Sequence, residues 1–121
     1  MSESFEDDAW KKELKRGILE MCILSLLSTR EMYGYEISKE LDALSGGILR
    51  IEEGTLYPLL RRLEERGYLK GEWRYREGKA RRYYKITPRG MDVLRKMRAF
   101  WAVLITVVNN ILYGGESGGR E

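Results

Sequence analysis

Apolar positions along this chain change period several times, and each change marks an element. From Ile18 to Leu27 the run ILEMCILSLL is apolar on nearly every face of a helix. Such a helix is buried on more than one side, and in so short a chain a second subunit is the expected extra cover. Its start is expected near Ser4, where Ser4 and Asp7 have capping-box spacing and Glu6, Asp7 and Asp8 suit a positive helix end. Asp7 with Lys11, and Asp8 with Lys12, form helical pairs one turn apart. Residues Ser28 to Met32 break the pattern. A second helix is predicted from Tyr33 to Leu44, with Ile37, Leu41 and Leu44 on one face, ended by Ser45-Gly46-Gly47. After a short apolar link, Ile48 to Ile51, a third helix is predicted from Gly54 to Arg66 and stopped by Gly67. Its core stripe is Leu56, Leu59, Leu60 and Leu63, with Pro58 in the first turn.

The period then shortens to that of strands. Leu69 to Arg76 and Arg81 to Thr87 are rich in aromatic and β-branched residues, with Glu77-Gly78-Lys79-Ala80 between them. This predicts a two-stranded hairpin with a glycine-containing loop. Thr87-Pro88 reads as N-cap and first residue of a fourth helix reaching about Tyr113. The remainder, GGESGGRE, is expected to be disordered. Three helices followed by a hairpin make an α+β, mainly α fold: a winged helix-turn-helix with a long C-terminal helix. The division expected is 1–87 for the winged region, 88–113 for a dimerisation helix and 114–121 for the tail.

Composition removes most chemistry. The chain of 121 residues has no His and one Cys, Cys22. A His-dependent nucleophile site, a His-ligated zinc site and an internal disulfide are therefore excluded, and a reducing cytoplasm is the expected location. The adjacent carboxylates Glu52-Glu53 and Glu64-Glu65 point to different helix faces and make poor acid–base pairs. No enzyme activity, cofactor or metal is expected. The acidic N-terminus lacks a signal-peptide pattern, and the longest apolar run, Ala99 to Val108, is too short for a bilayer.

Charge is unevenly distributed. The net value is only +3, but residues 1–10 carry −4 and residues 61–90 carry +7. The positive segment covers the second half of the third helix and the hairpin, the two parts of a winged helix that face DNA.

Three stretches in order, YGYEISKEL (Tyr33–Leu41), GTLYPLLRRLEERGYL (Gly54–Leu69) and GKARRYYKITPRG (Gly78–Gly90), resemble the PadR family of transcriptional regulators. The likeness spans about residues 12–112 and implies a dimeric winged-helix repressor whose C-terminal helix makes most of the dimer contact. A single such helix is similar to the short subfamily.

In that fold the third helix enters the major groove. Thr55, Tyr57, Pro58, Arg61 and Arg62 are the positions not claimed by the leucine stripe. The two arginines suit either guanine O6 and N7 or phosphates. With no Gln, and Asn only at 109 and 110, no bidentate amide contact to adenine is available from this helix. Lys79, Arg81 and Arg82 of the hairpin, and Tyr35 of the second helix, complete the DNA-binding set; alternation puts Arg81 and Arg82 on opposite faces, so only part of the hairpin charge can reach DNA. Glu52 and Glu53 would repel phosphates or point away. On the fourth helix Leu94, Met97, Trp101, Leu104, Val108 and Ile111 recur at steps of three and four, a seam expected to pack on the first helix of a partner, around Met21. The resemblance also implies a site for a small flat aromatic effector flanked by Trp101, with Met97, Phe100 and Leu104 as lining; a packed interface without a cavity is the simpler alternative. The expected partners are double-stranded DNA, a second copy and that effector, and no membrane. The competing reading is a winged helix used for protein contacts in a larger assembly.

Overall fold

The leucines of the third predicted helix do form the centre of the core. The computed structural model describes residues 3–114, with side chains from Ala9 onward. Within these residues the elements are α1 (Glu3–Leu27), β1 (Met32–Tyr33), α2 (Gly34–Leu44), α3 (Glu53–Glu65), β2 (Leu69–Arg76), β3 (Lys79–Ile86) and α4 (Pro88–Tyr113). The capping expected of the side chains of Ser4, Glu6, Asp7 and Asp8 precedes the described side chains, and the tail expected to be disordered lies past Gly114, outside the described residues.

Leu56, Leu59, Leu60 and Leu63 of α3 share one core with Ile23, Leu24 and Leu27 of α1, Ile37 and Leu41 of α2, and Leu94 of α4. Each fully buried leucine stabilises by about 1.5–3 kcal/mol. Leu44 was expected on the same face of α2 as Ile37 and Leu41, but it closes the helix and is exposed. The glycine stops behave as expected. Gly46 and Gly47 have positive φ after α2, and Gly67 after α3, where Tyr68 N–H donates to the Leu63 carbonyl at 3.0 Å.

Three expectations need correction. The sheet has three antiparallel strands in the order β1-β3-β2, so the hairpin is joined by a short third strand pairing Met32 with Tyr84 and Tyr33 with Tyr83. Two residues are too few to show a period, which is why this stretch reads as a break in pattern. Tyr33 therefore both ends a strand and caps the helix that starts one residue later, and its N–H donates to Glu36 Oε1 at 3.2 Å across the first turn of α2. The hairpin turn is also tighter than expected: Arg76 pairs with Lys79, leaving only Glu77 and Gly78, both with positive φ. Pro58 is the third correction. The helix begins at Glu53, so Pro58 lies in the second turn and deprives the exposed Gly54 carbonyl of its helical donor.

The joint between α3, the sheet and α4 is dense. Thr87 caps α4, accepting from Gly90 N–H at 3.0 Å, and its hydroxyl reaches the carbonyls of Gly67 at 2.6 Å and Tyr68 at 3.1 Å. A Cβ on Gly90 would run into the Tyr68 carbonyl and come within 2.7 Å of Ile86 Cγ1. Past this joint α4 leaves the core. Val93, Leu94 and Met97 pack against it, but Phe100, Val103, Leu104, Val107, Val108, Ile111 and Leu112 are exposed. Trp10 and Leu14 are likewise exposed on the first half of α1.

Candidate nucleic-acid interface

The leucine stripe dictates what α3 shows. With Leu56, Leu59, Leu60 and Leu63 inward, the helical period puts Gly54, Pro58, Arg61 and Glu65 opposite, and all four are exposed. Thr55, Arg62 and Arg66 then turn toward α1, and Tyr57 and Glu64 toward the hairpin. Ion pairs agree with that assignment. Arg62 Nε lies 3.0 Å and Arg66 Nη1 3.5 Å from the Glu20 carboxylate of α1. On the other flank Glu64 Oε2 accepts from Arg82 Nη2 at 2.6 Å and from Gly71 N–H at 3.1 Å.

Tyr57 has a double position. It is 40% exposed, yet its hydroxyl lies so close to Gly34 that a Cβ there would be 2.6 Å away. Partial burial and the Glu53 carboxylate raise its phenol above the ordinary range. Tyr35 is half exposed, stacks on Tyr33 and carries Lys39 over its ring at 5.6 Å. Together with Trp73, Arg81 and Arg82, these tyrosines line a groove of about 500 Å³ between the starts of α2 and α3 and the hairpin. A second groove of about 870 Å³ runs between α1 and α3, with Lys12, Lys15, Arg16, Arg50 and Arg62 against Glu52. Glu53 lines the first groove, so neither of the two acids expected to oppose phosphates is turned away from this surface.

On the hairpin the expected alternation is blurred, because Tyr83 and Tyr84 are both buried. Tyr84 joins the core, whereas Tyr83 is covered by the Arg76 guanidinium at 4.4 Å and by Tyr33, whose ring stands edge-on at 5.3 Å. Arg81 lies over the Tyr33 ring at 4.4 Å. Lys79 is exposed at the tip, as is Arg61 on α3, and neither is in an ion pair among the described residues. Thus Arg61 and Lys79 are exposed and Arg81 is half buried over Tyr33, all three free of carboxylates, while Arg62 and Arg82 are held by Glu20 and Glu64.

Sequence reading missed those two acids, and also Glu31. Its Oε2 takes Arg74 at 2.7 Å and Arg76 at 2.8 Å, from more than forty positions away. It missed Trp73 and Tyr75, exposed at 69% and 77% on the hairpin, although their alternation with Arg74 and Arg76 was a usable signal. Of the residues expected at a subunit seam, Leu94 is spent in the chain's own core, Met21 and Met97 flank that core, Trp101 is half buried, and Leu104, Val108 and Ile111 are exposed. Neither groove touches Met97, Phe100, Trp101 or Leu104. No helix among the described residues is long and apolar enough to cross a membrane.

Known proteins share this architecture. The family model described as the transcriptional regulator PadR-like family matches residues 23–96. A PadR family transcriptional regulator from Eggerthella lenta superposes with a TM-score of 0.80 at 40% identity, over 93% of this chain and 96% of its own. A transcriptional regulator from Clostridium thermocellum does so with a TM-score of 0.76 at 38% identity, over 81% and 96%. The transcriptional regulator Rv3488 of Mycobacterium tuberculosis is 38% identical over 87 residues, 72% of this chain and 78% of that protein.

Proposed function

The chain belongs to the PadR-like family of transcriptional regulators, and from that premise we propose that it is a cytoplasmic repressor that binds a palindromic double-stranded DNA operator as a homodimer. The observation that carries this reading is the outward face of α3, flanked by the hairpin. There Pro58 and Arg61, with Thr55 and Tyr57 on the flanks, would enter the major groove, with Lys79 at the hairpin tip, Arg81 in the groove beside it and Tyr35 at the start of α2 to meet phosphates. Arg62 and Arg82 would join them on giving up their carboxylates. The uncovered apolar half of α4 supports the dimer. An exposed stripe of this length on a soluble domain marks a partner surface, and α1 of a second copy offers Trp10 and Leu14. Two copies would place their α3 helices on half-sites about one or two helical turns apart.

An unbiased selection of binding sites from random duplex, followed by titration at two salt concentrations, tests the reading. A recovered palindrome bound with steep salt dependence is expected. Absence of any DNA binding by the full chain would instead favour a winged helix used for protein contacts. A small aromatic effector would lie at the subunit seam against Trp101, with Met97, Phe100 and Leu104. Titration with a flat dye should quench tryptophan fluorescence in the native chain and not in Trp101→Ala; equal quenching in both removes the effector site.

A further inference from the structure

The positive segment that covers α3 and the hairpin is largely neutralised inside the chain. Of its eleven basic side chains, Arg62, Arg66, Lys70, Arg74, Arg76 and Arg82 pair with carboxylates. The acids that do so include Glu20 and Glu31, which lie far outside the segment. Glu20 stands out among them. Its side chain is 15% exposed, the least of any acid in an ion pair among the described residues, and it holds two arginines of α3 at 3.0 and 3.5 Å. A carboxylate clasped by two guanidinium groups has the chemistry of a phosphate so clasped: an oxyanion accepting charge-assisted N–H bonds.

We propose that Glu20 stands in for a DNA phosphate in the free protein, keeping Arg62 and Arg66 off arbitrary duplex and so lowering non-specific affinity. Duplex of any sequence offers phosphates, but to recruit these arginines it must first break the Glu20 pairs, exchanging one oxyanion for another at little net gain. A cognate site adds base contacts from the outward face of α3, which offset that loss. Glu20 therefore holds down the baseline affinity for duplex of any sequence without itself touching DNA. The inference rests on the DNA-binding reading above. Glu64 holds Arg82 in the same way on the opposite flank, but it also accepts the Gly71 N–H, so Glu20 gives the cleaner test.

The experiment measures affinity of the full chain for a random-sequence duplex, and for the selected operator, across a salt series by fluorescence anisotropy. Glu20→Gln keeps the side-chain size and removes the charge. It should bind random duplex several-fold tighter at low salt. The slope of log affinity against log salt should steepen by up to about 0.9 for each arginine released. Affinity for the operator should rise by a similar factor, because the cost of breaking the Glu20 pairs is removed there as well. Arg66→Gln supplies an independent check that does not need Glu20 replaced: an arginine already held by Glu20 contributes nothing to random duplex, so its loss should leave that slope unchanged. A folded Glu20→Gln that binds random duplex no better than the native chain, or an Arg66→Gln whose slope falls by about 0.9, overturns the proposal. If the native chain shows no salt-dependent binding, the DNA-binding reading falls and this inference with it.

Discussion

Two glycines illustrate how differently a missing side chain can matter. At Gly90 the space a Cβ would need is taken by the Tyr68 backbone carbonyl, which is fixed by the Thr87 N–H and hydroxyl. Gly90→Ala should cost about 1–3 kcal/mol in a urea melt, because neither backbone segment can retreat without breaking the joint. At Gly34 the obstacle is the far end of Tyr57, a half-exposed ring that can swing aside. Gly34→Ala should change stability by less than about 1 kcal/mol, alanine being the better helix former, while shifting Tyr57 within the groove. Arg61 makes the third contrast. It has no carboxylate to leave behind, so Arg61→Ala should leave the melt unchanged. If it reads a base it should relax selection at one operator position by about 1–3 kcal/mol.

Elements built on local chemistry were legible in the sequence. The leucine stripe of α3, the stop at Gly67, and the Thr87-Pro88 start of α4 each rest on a few neighbouring residues, and all three stand where the pattern put them. What escaped depends on residues far apart in the chain. The strand β1 exists only because β3 comes to lie beside it, and Glu20 meets Arg62 across α1 and α3 without any spacing to announce it. Pro58 shows a subtler limit. Whether α3 starts at Gly54 or at Glu53, Pro58 lies past the first turn, so reading it as a tolerated first-turn proline overlooked the hydrogen bond it removes on the exposed face. The seam on α4 was half legible. Its period is real, yet the first of its positions, Leu94, serves the chain's own core, and the surface left over begins near Phe100. Leu104 lies in that remaining surface at 37% exposure. Leu104→Glu should therefore leave the winged region folded by circular dichroism, turn the proposed dimer into monomers in sedimentation, and weaken operator binding with it.

At the scale of the whole molecule, titration is pushed away from neutrality. There is no His. Hydrogen bonds from Arg74 and Lys70 lower the Glu72 carboxyl, and Lys96 followed by Arg95 lowers that of Asp92. Burial raises the Cys22 thiol and the Tyr57 and Tyr84 phenols. A depressed carboxyl contributes stability that is present above its unfolded pKa and lost as pH falls through the folded one. A raised thiol or phenol contributes stability that is present below its unfolded pKa and lost as pH rises through the folded one. Both windows lie outside the neutral range, so melting temperature should be flat between about pH 6 and 8 and fall on either side. A step within that interval in a thermal melt would contradict this arrangement.

The joint at Thr87 and Gly90 has a mechanical consequence. Because it ties the end of α3 to the start of α4, the two helices move as one body, with α4 as the arm. Twenty-six residues make that arm about 39 Å long. If the far ends of two such arms are clasped in a dimer, a tilt of about 5° there carries the α3 end of each arm through up to about 3.4 Å, the rise of one base pair. The register between two half-sites would then be set by a hinge angle far from any base.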